Sequence, residues 1–151
     1  MKNYMNNNKI KINPKIKEAI KNNKPIVALE STLISHGLPY PDNINVANES
    51  IKAVEKSGSI AATIGIINGI IKIGLNKDDI EILASTKNVE KVSLHNIALS
   101  LFNKKNAATT VAATINIASK IGINFFATGG IGGVHLDSEN NNDISADLTE
   151  L

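Results

Sequence analysis

The stretch SIAATIGIINGIIKIGL, residues 59–75, constrains the fold more than any other part of the chain. Its two β-branched runs lie on either side of Asn68-Gly69, the dipeptide that accepts the positive φ angles of a type I′ turn. The segment therefore predicts a β-hairpin. PIVALES, beginning at Pro25, is a second apolar run of strand length, and it is continuous rather than alternating. That pattern belongs to a strand covered on both faces, so it predicts a central strand.

Helices are predicted around these strands. Asn13 and Pro14 form a cap and first-turn pair, followed by Ile16, Ala19 and Ile20 at helical spacing. Asp42 or Asn43 is expected to cap a helix through Ile44, Val46, Ala47, Ile51 and Val54, which Gly58 stops. Asn76 with Asp78 and Asp79 makes an acid-rich helix start, and VEKVS is a short strand ending near Lys91 to Ser93. NIALSLF and TTVAATINIASKIG read as helices, the second ending at Gly122, and INFFATG reads as a strand delivering into glycines. Strands alternating with helices predict a layered α/β/α fold with a mixed, largely parallel sheet, in a single domain over residues 1–151.

Composition excludes several function classes. The chain has 151 residues and no cysteine, which rules out disulfides and thiolate metal sites and favours a reducing, cytoplasmic setting. The opening residues, MKNYMNNNKIKINPKIKEAIKNN, have no sustained apolar core, so neither a signal peptide nor a membrane span is expected. All sixteen basic residues are lysines, scattered over predicted helix surfaces, and aromatics make up only 3%. Nucleic-acid readers cluster their cations and use arginine forks or aromatic stacking, so no nucleic-acid partner is expected.

In open α/β sheets ligands bind beyond the carboxyl ends of strands, which directs attention to three places. Glu30 closes the PIVALES strand and reads either as a catalytic acid or as a paired, capping carboxylate. Lys91 ends VEKV and reads either as a substrate cation or as a surface lysine. TGGIGGVH, from Thr128 to His135, lacks both the GxGxxG spacing and the P-loop ending. Its glycines can turn successive N–H groups towards an anion, with the Thr128 hydroxyl beside Gly129 and Gly130, or they can serve a tight crossing of strand and loop. Beyond it, Asp143, Ser145 and Asp147 offer oxygen donors suited to a hard divalent cation, or simply a solvated acidic loop.

VALESTLISHGLPYPDN, KVS, NAATTVAATINIA, FFATGGIGGVH and DISADLTEL, in this order, closely resemble the pseudouridine-5′-phosphate glycosidase family, also called indigoidine-synthase-A-like, from about Lys15 onward. The resemblance implies an enzyme that reversibly splits the C–C glycosidic bond of pseudouridine 5′-phosphate into uracil and ribose 5-phosphate, with Mn²⁺, as a homotrimer. A base carbon has no lone pair to protonate, so the family opens the ribose and forms a lysine Schiff base at C1′ as an electron sink.

On that resemblance Glu30 is the acid/base of ring opening, Lys91 and Val111 contact substrate, Asp143 holds Mn²⁺, and Ser145, Ala146 and Asp147 line the substrate. SLHN, Ser93 to Asn96, stands where the family has Ser-Arg-Arg-Asp, so Leu94, His95 and Asn96 remove two cations and an acid. Ala107 stands where glycine is frequent, which strains the turn if that position needs a positive φ. The family's nucleophilic lysine lies in a Cys-Ala-Gly-Ala-Lys-Ser segment that has no counterpart in these 151 residues. The expectation is thus a family domain truncated at the C-terminus, inactive alone and with an open sheet edge. It is either one half of a split enzyme, completed by a C-terminal chain, or a non-catalytic sugar-phosphate-binding remnant.

Overall fold

The computed structural model describes residues 8–134 and 145–151. Asp143 and His135 lie outside these described residues. The strands are β1 (Ile10–Ile12), β2 (Ile26–Leu29), β3 (Ile60–Ile67), β4 (Ile70–Ile73), β5 (Glu90–Val92), β6 (Ala107–Thr109) and β7 (Phe125–Ala127). The helices are α1 (Pro14–Lys21), α2 (Asp42–Lys56), α3 (Lys77–Ser85), α4 (Ile97–Phe102), α5 (Val111–Lys120) and α6 (Asp147–Glu150), with a π-helical turn over Leu33–Gly37.

The hairpin forms as its sequence requires. Asn68 and Gly69 take φ of 52° and 69°, and β3 pairs antiparallel with β4 from Ile67↔Ile70 outward. A Cβ on Gly69 would also lie 2.6 Å from Lys104 Cα, so the turn needs glycine for space as well as for φ. β2 is central, running parallel to β3 on one side and to β7 on the other. The pairs β1/β4 and β5/β6 are also parallel, while β3/β4 and β3/β6 are antiparallel, so the seven-stranded sheet is mixed and largely parallel.

Alternation along the strands sorts the layers. Ala62, Ile64 and Ile66 of β3 pack with Ile16 and Ala19 of α1 and Ile117 and Ala118 of α5. Ile67, on the other face, packs with Ile34 of the π turn, Ala47 of α2 and Ile80 and Leu83 of α3. Consecutive residues of β6 divide in the same way, Ala107 to the first cluster and Ala108 to the second. Two helical layers on one sheet give the α/β/α arrangement. Each fully buried isoleucine here contributes about 1.5–3 kcal/mol.

The local signals behave as expected at several ends. Asn13 accepts from Lys15 N at the start of α1, and Asn76 and Asp79 form a reciprocal capping box on α3. The α2 cap is different. Asp42 is already helical, Pro41 is the cap, and Asn43 is buried with its amide donating to Ile34 O and Ala84 O. Asn43 ties the π turn to the end of α3, a tertiary demand that outweighs its capping preference.

Two strands were not foreseen. Ile10 and Ile12 alternate around Lys11 and pair with β4, although the flanking sequence is polar. Ala107–Thr109 forms β6 where a turn and then the first residue of a helix are expected, and α5 begins only after Thr110 caps it through Ala113 N. Ala107 is therefore a buried strand residue. It is absent from the positive-φ residues, so the expected turn strain does not arise.

Candidate active site

The topology brings four strand ends to one place. β2 runs parallel to β3 as far as Leu29↔Thr63, whereas β6 runs antiparallel to it through Gly65↔Ala108. The carboxyl ends of β2 and β6 therefore meet head to head near Thr63 and Ile64, each with a parallel neighbour, β7 and β5. Residues just beyond these ends face a shared opening, as expected where strand order reverses.

Buried hydroxyls hold the meeting point together. Thr109 Oγ1 donates to Ile64 O at 2.7 Å and lies 2.9 Å from Thr114 Oγ1. The Thr109 N–H donates to Ser31 Oγ at 2.9 Å, and Thr32 Oγ1 donates to Thr109 O at 2.9 Å. Ser31, Thr109 and Thr114 are all fully buried. Two strands that share no ladder are thereby fixed to each other just below Glu30 and Thr110.

A cavity of about 470 Å³ opens above this joint. Glu30, Lys91, Val111, Ser145, Ala146 and Asp147 all border it, together with Gly130 and His95. Six residues from four separate sequence segments are thus gathered at one opening. Glu30 is half-buried, Lys91 is exposed, and Val111 is buried in the first turn of α5. The ion pairs among the described residues, Lys15–Glu55 and Lys72–Asp79, leave the Lys91 ammonium out.

The glycine loop divides between two openings. Gly130 and Gly132 border the 470 Å³ cavity, while Thr128 and Gly129 border an adjacent, mostly apolar cavity of about 310 Å³ lined by Leu33, Ile34, Ala47 and Val54. Glu30 borders both. The loop amides point to acceptors of the chain itself: Gly130 N donates to Thr128 Oγ1 at 3.3 Å and Gly132 N to Asp147 Oδ2 at 2.8 Å.

Asp147 is only 7% exposed, and its other oxygen accepts from Ala112 N at 2.8 Å. A carboxylate placed against the first turn of a helix satisfies an amide that has no partner within the helix. Ser145 completes the clasp. Its N–H donates to Gly133 O at 3.0 Å and its hydroxyl accepts from Asp147 N at 3.2 Å. A Cβ on Gly132 would collide with the Ser145 side chain, so close approach explains that glycine.

The unusual SLHN segment has a structural role. Asn96 Oδ1 accepts from Ser93 N at 2.8 Å, and its amide donates to Lys91 O at 3.1 Å, which shapes the turn that follows β5. His95 is exposed at the cavity wall. Among the described residues no group of three acidic, histidine or cysteine side chains comes together as a metal site. Nor is any described helix long and apolar enough to cross a membrane.

Sequence reasoning did not foresee the joining role of Ser31, Thr32, Thr109 and Thr114, because single hydroxyl residues carry no periodic signal and meet only through the head-to-head topology. Thr110 and the engagement of Asp147 with α5 were missed for the same reason.

The sequence profile of the family described as indigoidine synthase A like protein matches residues 15–151. A pseudouridine-5′-phosphate glycosidase of Escherichia coli K12 is 51% identical over 143 residues, covering 94% of this chain and 46% of that protein. One from Staphylococcus aureus MW2 is 52% identical over 142 residues with the same coverage. The chain thus spans about half the length of the curated relatives it matches. Among solved structures, a prealnumycin C-glycosynthase in complex with ribulose 5-phosphate superposes with a TM-score of 0.84 at 40% identity, covering 95% of this chain and 46% of that one. An indigoidine synthase A-like protein from Thermotoga maritima gives 0.79 at 35% identity, covering 93% and 45%.

Proposed function

The chain belongs to the family of indigoidine synthase A like proteins, and we propose that it supplies the sugar-phosphate-binding and proton-transfer part of a pseudouridine-5′-phosphate glycosidase site. The reaction is reversible cleavage of the C–C glycosidic bond of pseudouridine 5′-phosphate to uracil and ribose 5-phosphate. The observation that carries this reading is the convergence of Glu30, Lys91, Val111 and the Ser145–Asp147 segment on one cavity. A solved relative that holds ribulose 5-phosphate supports a pentose 5-phosphate as the ligand class.

The residues present suit two tasks. Lys91 offers an exposed ammonium to the phosphate, and Ser145 and Ala146 line the sugar. Glu30, half-buried at the cavity wall, delivers a proton to the ribose ring oxygen as the nucleophilic amine of the complete enzyme takes its place at C1′, and recovers that proton on ring closure. Carbon–carbon cleavage then needs an electron sink at C1′. The lysine that supplies it in the family has no counterpart in these residues, so no later step is derived from them.

Mn²⁺ belongs to this reading through Asp143, which lies outside the described residues. The described carboxylates at the cavity do not make a ligand set: both Asp147 oxygens accept backbone N–H groups, and Glu30 accepts from Thr128. The reading also takes the complete enzyme as a cytoplasmic homotrimer, which light scattering after size-exclusion chromatography and cell fractionation test.

The direct test incubates the 151-residue chain with uracil, ribose 5-phosphate and Mn²⁺, alone and fused to the remaining half of the Escherichia coli relative. The fusion is expected to form pseudouridine 5′-phosphate and a borohydride-trapped adduct, with Glu30→Gln abolishing product. The chain alone is expected to form neither. Turnover by the chain alone, or a fusion that folds and turns over without Glu30, overturns the reading.

A further inference from the structure

Thr128 is placed to act on Glu30 rather than on a ligand. The β2/β7 register pairs Leu29 with Ala127, so Glu30 and Thr128 are the first residues beyond two paired, parallel strand ends. Side chains one step past a fixed ladder inherit its registry. Thr128 Oγ1 lies 3.1 Å from Glu30 Oε1 and donates towards it.

The hydroxyl is itself held. Gly130 N donates to Thr128 Oγ1 at 3.3 Å, and the same hydroxyl lies 2.9 Å from Gly130 O. With its single proton shared between Glu30 and Gly130 O and a lone pair taken by Gly130 N, little capacity is left for a phosphate. Gly132 in turn is tied to Asp147, so the loop that presents Thr128 is anchored to α5 two residues further on.

We infer that Thr128 is a positioning residue: its hydroxyl fixes the Glu30 carboxyl at the wall shared by the two cavities. The inference rests on the proton-transfer role proposed for Glu30 but concerns only how that carboxyl is held. A methyl in place of the hydroxyl leaves the Glu30 carboxyl free to rotate at that wall, while no residue bordering the Lys91 cavity is changed.

The experiment uses the 151-residue chain labelled with ¹³C at the glutamate carboxyl carbon, with Glu30→Gln assigning the resonance. Thr128→Val, nearly isosteric, is compared with Thr128→Ser, which keeps the hydroxyl. The Glu30 resonance is expected to move and broaden in the valine variant and to return in the serine variant. Ribose 5-phosphate and inorganic phosphate affinities are expected to stay within about twofold of the parent, since no ligand contact is lost.

An unmoved Glu30 resonance in Thr128→Val overturns the inference. So does a tenfold or greater fall in inorganic phosphate affinity, which makes Thr128 a phosphate ligand. If Thr128→Val does not fold, Thr128→Ala against Thr128→Ser reads the same difference. If the parent chain binds no ribose 5-phosphate, the resonance still decides the positioning role, and the sugar-phosphate reading fails separately.

Discussion

Asp147 accepts the backbone N–H of Ala112 at 2.8 Å, a contact that fastens the last described helix to the first turn of α5. The other oxygen of the same carboxylate takes Gly132 N, so one side chain joins α5, α6 and the glycine loop. The wall of the candidate site is organised around this charge. Asp147→Ala leaves two amides without their acceptor and is expected to cost roughly 2 kcal/mol or more locally. Amide hydrogen exchange checks it: protection at Ala112 and Gly132 is expected to fall about tenfold or more, and unchanged protection contradicts the bridge.

The two glycines of the cavity wall separate by a single substitution. A Cβ on Gly130 meets nothing within 4 Å, whereas one on Gly132 meets Ser145. Gly130→Ala is therefore expected within about 0.5 kcal/mol of the parent, and Gly132→Ala to destabilise by roughly 1–3 kcal/mol. Denaturant midpoints of the two variants measure the difference, and equal midpoints refute it.

The Thr109 hydroxyl ties β6 to Ile64 of β3 and to Thr114 of α5. Thr109→Val keeps the shape but removes the donor to Ile64 O and the partner of Thr114, leaving buried groups unpaired. A loss of roughly 1–3 kcal/mol is expected. Thermal unfolding reads it directly, and a melting temperature equal to the parent's contradicts the joint.

What the sequence made legible followed from local physics. Asn68-Gly69 named its turn because few dipeptides tolerate two positive φ values, and PIVALES named a central strand because nothing polar interrupts it. Asn76 with Asp78 and Asp79 announced a helix start for the same reason: the chemistry is complete within four residues. Glu30 and Lys91 could be placed at strand ends.

What stayed hidden depends on partners distant in sequence. β6 is three residues of unremarkable alanine and threonine, and it becomes a strand only because β5 and β3 flank it. Asn43 reads as a cap until α3 and the π turn supply acceptors for its amide. The head-to-head meeting of β2 and β6 reverses one strand direction, and only that reversal puts Ser31 beside Thr109 and Glu30 beside the α5 start. Exposed Phe125 follows from β7 pairing, among the described residues, with β2 alone. Light scattering at rising concentration is expected to show self-association that Phe125→Lys reduces.

The central claim is that this chain holds the pentose-phosphate and proton-transfer side of the site in working geometry. Titrating ¹⁵N-labelled chain with ribose 5-phosphate tests it most directly. Saturable shifts are expected at Lys91, Gly130, Ser145 and Ala146, absent with ribose alone and weakened roughly tenfold by Lys91→Ala, about 1.4 kcal/mol. No saturable shift, or shifts confined to residues away from this cavity, contradicts the claim.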